Sequence, residues 1–433
     1  MPRHVPCPGP RGSYRGDAIA AVAAALLCDG GRASRRHFRV RDDVGGRGGG
    51  VAKRRRRHPP PPSSPFQINV ARSCVMTSPS GGALTSGGNI NNSSSVYKKE
   101  KSIQMKNSAS ALYNNLSVLC VPERSLTYMA VVHRSSVCMV SASADGLNLS
   151  HRQLQAKEGG AAAQAASLVL QASWCILPSR VLLVLTSLRG IQMYESDGSI
   201  MVYWHALEIP ETPTARAIFA RGIAAVGGHY ICVGTSSGCI LVFDVPVKGT
   251  NITLSEELGQ HTEAITSIAA ECSMRKDCVP DLVTADDSGV LCVWKSGEEF
   301  TLLHKLPAYG CSCTSVALWD GIVAAGYGSG QIRVYDGATG ALAAEANAHA
   351  RWINVLDVAP ESGRLLSGAE DSFVRVWKLG RAADTGLIEI EHRHSECVTD
   401  VQISGAKFCD AQGRAFAVTG YDLCEIIRYV LVA

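Results

Sequence analysis

The chain has 433 residues, 46% of them hydrophobic, which suits one large domain with extras or two to three ordinary ones. Its net charge of +4 averages two unlike pieces: residues 1–100 carry 17 Lys and Arg against 5 Asp and Glu, and the remainder 25 against 33. This is a basic tail on a mildly acidic globule, and no apolar run approaches the ~18–20 residues of a membrane-spanning helix.

In chain order, residues 1–100 are rich in Gly, Pro, Arg and Ser, and read as a disordered low-complexity tail. Ala18–Cys28 follows Arg11 and Arg15 in the order of a signal peptide, but it is mostly alanine and a long basic stretch comes after it, so secretion is not expected. Lys53–Arg57 is an unbroken run of positive charge before Pro59–Pro62. It reads either as a nuclear-import address or nucleic-acid contact, or as a solvated tail without a role. Upstream sequence from a mistaken start site, with Met76 or Met105 as the internal start, is a third reading. The expected division is a tail over 1–100 and a repeat domain over 101–433.

Sixteen cysteines invite a disulfide framework. However, Cys232, Cys239, Cys292 and Cys424 sit inside apolar strand patterns, where free cysteine acts as a small hydrophobe. No paired CxxC clusters occur, so a reduced, intracellular protein is expected.

From about Ser110, strand-like segments arrive every eight to twelve residues between Gly, Asp and Ser turns. One phrase recurs: GTSSGCILVFD (Gly234–Asp244), TADDSGVLCVWK (Thr284–Lys295), GYGSGQIRVYD (Gly326–Asp336) and SGAEDSFVRVWK (Ser367–Lys378). Each is a small-residue turn, an alternating strand, an aromatic, then Asp or Lys, the pattern of a β-propeller blade. The closing aromatics Tyr194, Phe243, Trp294, Tyr335, Trp377 and Tyr429 lie 49, 51, 41, 42 and 52 residues apart. Blades of ~40–45 residues plus loops then make seven the expected count, with six or eight open because the stretch before Leu168 is degenerate. VLLVL (Val181–Leu185) is apolar throughout, as an inner strand buried on both faces would be. The last phrase, Ala415–Tyr429, leaves its blade one strand short, and the early strand Leu116–Val121 is expected to complete it and clasp the ring.

These phrases resemble WD40 repeats, with Trp294-Lys295 and Trp377-Lys378 standing where that family has Trp-Asp. NNLSVL (Asn114–Leu119), VLLVLTSLRGIQMYES (Val181–Ser196), MVYWHAL (Met201–Leu207) and AVTGYD (Ala417–Asp422) extend the resemblance over roughly 100–433. It implies an all-β propeller that serves as a non-catalytic interaction scaffold in an intracellular signalling or assembly complex. The alternative is a nuclear or chromatin-associated propeller using its basic tail. The resemblance also implies a tetrad of His, Ser/Thr, Asp and Trp that satisfies a buried indole N–H and locks adjacent loops. The blade ending at Trp377 has all four: His349, Ser367, Asp371 and Trp377. The blade ending at Trp294 offers His261 and Thr284 but has Ser288 where the Asp is expected, with Asp286 and Asp287 nearby. The blade ending at Tyr335 lacks the His and the Trp.

Other constellations yield to plainer readings. His349, Ser367 and Asp371 match a hydrolase triad in type, yet they fit the tetrad in order and no GxSxG elbow surrounds Ser367. Gly326, Gly328 and Gly330 precede a strand instead of a helix and read as a hairpin turn. His392, His394 and Cys397 lack a partner cluster for a metal, and His394 reads as the loop histidine at the start of the last blade. Cys311 and Cys313 have no second pair. No cofactor or metal is expected. Arg351 and Trp352, of residue types enriched in interface hot spots, precede the strand Ile353–Val358 and are the candidate partner-binding residues. Other proteins are the expected partners.

Overall fold

Antiparallel pairing in groups of four organises the described chain. The computed structural model describes residues 96–143, 148–156, 167–207, 219–273 and 280–432. Lys53–Arg57 and Met76 lie outside the described residues. Among the described residues there are seven sheets, each a blade. Blade 1 runs Ser117–Val121, Leu126–His133, Ser136–Ser143 and Leu149–Gln155. Blade 2 runs Val169–Ile176, Val181–Ser187, Gly190–Glu195 and Met201–Ala206. Blade 3 comprises Ala220–Val226, Tyr230–Thr235, Ile240–Asp244 and Thr253–Leu258, and blade 4 Ile265–Ala270, Leu282–Asp286, Leu291–Lys295 and Thr301–Leu306. Blade 5 comprises Cys313–Trp319, Ile322–Tyr327, Gln331–Asp336 and Leu342–Asn347, and blade 6 Ile353–Ala359, Arg364–Ala369, Phe373–Arg381 and Ile388–Cys397. Blade 7 takes Ile403–Phe408, Ala415–Gly420 and Glu425–Val432 from the C-terminal end.

The first strand of every blade touches the first strand of the next, and Ile403–Phe408 touches Ser117–Val121, so the ring closes. VLLVL therefore belongs to a second strand, with Val169–Ile176 inside it. Apolar side chains fill the seams between blades. One cluster joins blades 2 and 3 around Leu182, Val184, Ile231 and Phe243, and another joins blades 5 and 6 around Ile332, Val334, Leu365 and Trp377. This is how stacked sheets bury both faces while closure hides their edges.

The inner strands also hydrogen-bond in relay. Blades 2 to 7 each bulge just after the first residue of the inner strand. In blades 4, 5 and 6 the bulged residue is polar and donates to the first inner-strand carbonyl of the next blade. Thr266 reaches Cys313, Thr314 reaches Ile353, and Asn354 Nδ2 reaches the Ile403 carbonyl at 2.8 Å.

The clasp differs from expectation. Leu116–Val121 does not complete the last blade, because Ser117–Val121 is the inner strand of blade 1. The missing outer strand of blade 7 is Val96–Lys99, paired antiparallel to Tyr429–Val432, with Ile103–Gln104 pairing further along the same strand. The propeller therefore begins at Val96, inside the segment assigned to the tail, and not at residue 101. The clasp is anchored by Tyr97, 4% exposed, whose ring packs on Phe416 (centroids 4.9 Å apart) and whose hydroxyl donates to the Gly413 carbonyl. VYKK buries that one residue, and the flanking Lys98 and Lys99 are exposed.

Candidate interaction site

The turns between second and third strands, and the loops entering each inner strand, share one face of the ring. Two hydrogen-bonded series stiffen it. In blade 6 the Trp377 Nε1–H donates to Ser367 Oγ at 2.9 Å, and Ser367 Oγ lies 2.8 Å from His349 Nε2. His349 Nδ1 faces the Asp371 carboxylate at 3.1 Å. Because the Asp371 carboxylate can only accept, the imidazole carries its proton on Nδ1 and donates it there, which leaves Nε2 to accept from the Ser367 hydroxyl. Asp371 also accepts from the Ala350 and Phe373 N–H groups, so one carboxylate ties the loop before the blade to the turn within it. Burial, chiefly, holds the His349 imidazole below its ordinary value against the pull of Asp371, with Arg375 adding to the depression. For Asp371, burial pushes the carboxyl up, but hydrogen bonding and charge from His349 outweigh it and leave the group below its ordinary value.

Blade 4 holds a second complete series. His261 Nε2 and the Trp294 Nε1–H meet Thr284 Oγ1 at 2.8 and 3.0 Å, and His261 Nδ1 lies 2.9 Å from Asp286. The set read from sequence as partial is closed by Asp286, the last residue of the second strand, two positions before the expected place. Ser288, which occupies that place, donates its N–H and hydroxyl to Asp286 Oδ1 at 3.0 and 2.6 Å. Blade 5 uses aromatics where the tetrad would stand. Tyr327 and Tyr335 pair their hydroxyls at 3.3 Å, Tyr309 packs edge-on against Tyr327, and the Arg333 guanidinium lies 3.2 Å from the Tyr309 ring centroid.

Ser367 is fully buried beneath Trp377, so no substrate reaches its hydroxyl, and the triad resemblance corresponds to a locked turn. His392 bonds Ser395 at 2.7 Å and packs edge-on to Trp377. His394 lies in the outer strand of blade 6, against the Tyr97 ring, and not in the loop before blade 7 where the sequence reading put it. Among the described residues no group of three or more His, Cys, Asp or Glu is arranged to hold a metal, and every described cysteine is free. Burial pushes the Cys175, Cys292 and Cys409 thiols up to about 12. Gly326 ends a strand pairing and Gly330 sits at φ +85°, where a Cβ would stand 2.1 Å from the His349 carbonyl oxygen.

The same face carries an element that sequence reasoning missed. Between the clasp and blade 1, residues 105–116 cross the ring and enter its channel. Asn114, at φ +53°, donates its N–H to the Asn354 carbonyl of blade 6 at 3.1 Å and accepts from Ser315 of blade 5 at 3.3 Å. The Asn115 N–H reaches the Ser404 carbonyl of blade 7 at 3.0 Å, while its amide side chain bonds Ser110 and both backbone groups of Val132. Arg221 of blade 3 stacks 3.3 Å from the Tyr113 ring centroid and donates to the Tyr113 carbonyl at 2.6 Å. The insertion divides the channel. Beneath it is a cavity of about 340 Å³ with Asn114 and Leu116 among its walls and inner-strand residues such as Val316 and Leu356 around them.

Above it opens a mouth of about 240 Å³, lined among others by Tyr113, Asp287, Trp352, Glu370, Gln402 and Tyr421. Trp352 is half-buried, its indole laid over Gly328 at a spot that any Cβ would fill. The Glu370 N–H bonds the Trp352 carbonyl at 3.0 Å, and burial pushes the Glu370 carboxyl up against the opposing charge of exposed Arg351. Asp287 accepts from Ser312 Oγ at 2.7 Å. Two hydroxyls in the mouth, Tyr113 OH and Ser404 Oγ, are buried without a hydrogen-bond partner among the described residues. Ser404 holds the bulge position that in blades 4 to 6 reaches the next blade, but blade 1 has no matching bulge and the insertion covers its inner strand. The mouth thus offers aromatic walls and two carboxylates to an occupant.

Comparison with known proteins places this architecture. The WDR54 family profile matches residues 96–432, the whole propeller from clasp to last strand. The chain is 59% identical to WD repeat-containing protein 54 of Mus musculus over 334 residues, covering 77% of this chain and 99% of that one. The Homo sapiens protein of the same name is 58% identical over the same lengths. Among solved structures, a chain of the mitotic checkpoint complex superposes with a TM-score of 0.58 at 17% identity, covering 82% of this chain and 98% of that one. The WD40 repeats of RRP9 superpose at 0.54, also at 17% identity, covering 76% and 100%. At such identities these two likenesses concern the fold alone.

Proposed function

The chain belongs to the WDR54 family of WD40-repeat propellers, and we propose that it works as a non-catalytic scaffold that docks other proteins at the channel mouth. The observation that supports this most is the mouth itself, where Trp352, Tyr421 and Tyr113 surround Asp287 and Glu370 above a floor braced to blades 3, 5, 6 and 7. Rigid aromatics contribute large contact area at low entropic cost, and carboxylates facing a low-dielectric pocket favour a cationic side chain. The favoured occupant is a protein segment presenting Lys or Arg. We place the work in an intracellular signalling or assembly complex in the cytoplasm, consistent with buried, unoxidised thiols such as Cys232 and Cys313.

The test is affinity purification of the full chain beside the Trp352→Ala and Glu370→Gln variants, each first checked by melting. Loss of a defined set of partners from both variants, with melting unchanged, supports docking at the mouth. An identical partner set in parent and variants overturns it.

A further inference from the structure

On the opposite face, at the seam between blades 6 and 7, two neighbouring cavities of about 340 and 320 Å³ share Ser362 and Arg364. The first is lined by Tyr97, Arg364, Lys378, Arg393 and His394, the second by Arg364, Arg414 and Glu361. The cations arrive from separate elements. Arg364 opens the second strand of blade 6, Lys378 lies beside it on the third, Arg393 and His394 are on the fourth, and Arg414 follows the first turn of blade 7. Lys378 is the residue that replaces Asp after the blade's tryptophan.

Of the acids nearby, Glu361 is exposed at the edge of the second cavity, and three others are committed elsewhere. Asp410 accepts the N–H groups of Gln412, Arg414 and Ala415 within its own turn. Glu391 pairs with Arg393 at 2.7 Å on the exposed rim, and Glu396 stands 3.5 Å from His394 Nε2. Among the described residues Arg364, Lys378 and Arg414 have no carboxylate partner. Arg364 spends one nitrogen on the Gly413 carbonyl at 3.0 Å and the Tyr97 hydroxyl at 3.4 Å, and Lys378 reaches the Ser362 carbonyl. The crowding is felt: burial, then the charges of Arg364 and Arg393, hold the Lys378 ammonium below its ordinary value. Arg414 is exposed, but Arg364 and Lys378 are half-buried, and half-buried cations without a counter-charge are costly unless an anion completes them.

We infer that this seam is a binding site for a phosphate monoester, its oxygens received by the unpaired Arg364 and Lys378, with Arg393 turning from Glu391 on the rim to complete the set. A dianion with three acceptor oxygens matches guanidinium forks and an ammonium converging from three strands, which a single carboxylate would leave partly unpaired. The site is independent of the channel mouth and lies on the other side of the ring. It also adjoins the clasp through Tyr97, so occupancy is coupled to ring closure and raises the melting temperature.

The experiment is calorimetric titration of the full chain with inorganic phosphate at constant ionic strength, with sodium chloride as the matched control. Parallel arms use O-phosphoserine and inositol trisphosphate. Saturable phosphate binding is expected, weakened about tenfold or more by Lys378→Met and by Arg393→Glu. Lys248→Gln, an exposed charge removed on blade 3, should change nothing. Arg393 is exposed, so its reversal leaves the fold intact and keeps the test decisive should Lys378→Met prove unstable. Tighter phosphoserine assigns the ligand to a modified side chain and tighter inositol trisphosphate to a head group. Heats no larger than those of chloride, or undiminished binding in Arg393→Glu, overturn the inference.

Discussion

Replacing Tyr97 with Ala should lower the melting temperature of the whole propeller by about 6–8 °C. Tyr97 is the one buried side chain of Val96–Lys99, packed between Phe416 and His394 with its hydroxyl on the Gly413 carbonyl. Truncating a buried aromatic costs about 3–5 kcal/mol, and losing the paired hydroxyl adds ~1 kcal/mol. Unfolding entropy of ~2.1 cal/mol/K per residue gives about 0.7 kcal/mol/K for a cooperative unit spanning residues 96–432, which converts that cost into the stated shift. Tyr97→Phe keeps the ring and should lose only about 1–2 °C. The assay is differential scanning calorimetry of the full chain, where parent and variants should each melt in one transition. If Tyr97→Ala melts within about 1 °C of the parent, Val96–Lys99 does not clasp the ring and the closure argument fails.

Other expectations follow from the same geometry. Asp286→Ala should cost about 3 kcal/mol or more and Asp371→Ala about 1–3 kcal/mol, because Asp286 is fully buried and serves His261, Ser288 and Val290 while Asp371 is partly open; equal, negligible losses in urea unfolding would count against both series. The lowered value of His349 means the unfolded chain takes up its proton first as pH falls below 6.5. Stability from this group is therefore full above that pH and lost as pH drops toward the folded value, so the gap between parent and His349→Gln should narrow from pH 7.5 to 5.5, and a constant gap would refute the assignment. Gly330→Ala should destabilise by about 2 kcal/mol or more, since it forces a Cβ at positive φ against the His349 carbonyl; chemical denaturation at the parent's stability would deny that approach.

Blades 2 to 7 announce themselves in sequence because their third strands carry Tyr194, Phe243, Trp294, Tyr335, Trp377 and Tyr429, each facing a residue near the start of the second strand. Blade 1 does not, since its third strand SVCMVSAS has no aromatic. The clasp is hidden in the sequence for a related reason. VYKK buries a single residue and shows no alternation long enough to register, whereas Ser117–Val121 alternates well but is used inside blade 1. Spacing points to Ser288, but the hydrogen-bonding need is met by Asp286 from the strand end instead of the turn. The channel insertion left one trace, the pair Asn114-Asn115, residues that tolerate left-handed backbone and bond neighbouring peptides. The seam cations are spread over Arg364, Lys378 and Arg393, so only the fold gathers them.

The most direct measurement is hydrogen–deuterium exchange of the full chain with and without a recovered partner. Protection centred on the loops bearing Trp352, Glu370 and Tyr421, with the outer strands of the blades unchanged, is the predicted footprint. Protection confined to outer strands such as Leu149–Gln155 or Leu342–Asn347, with that mouth exchanging as before, would contradict docking at the channel entrance.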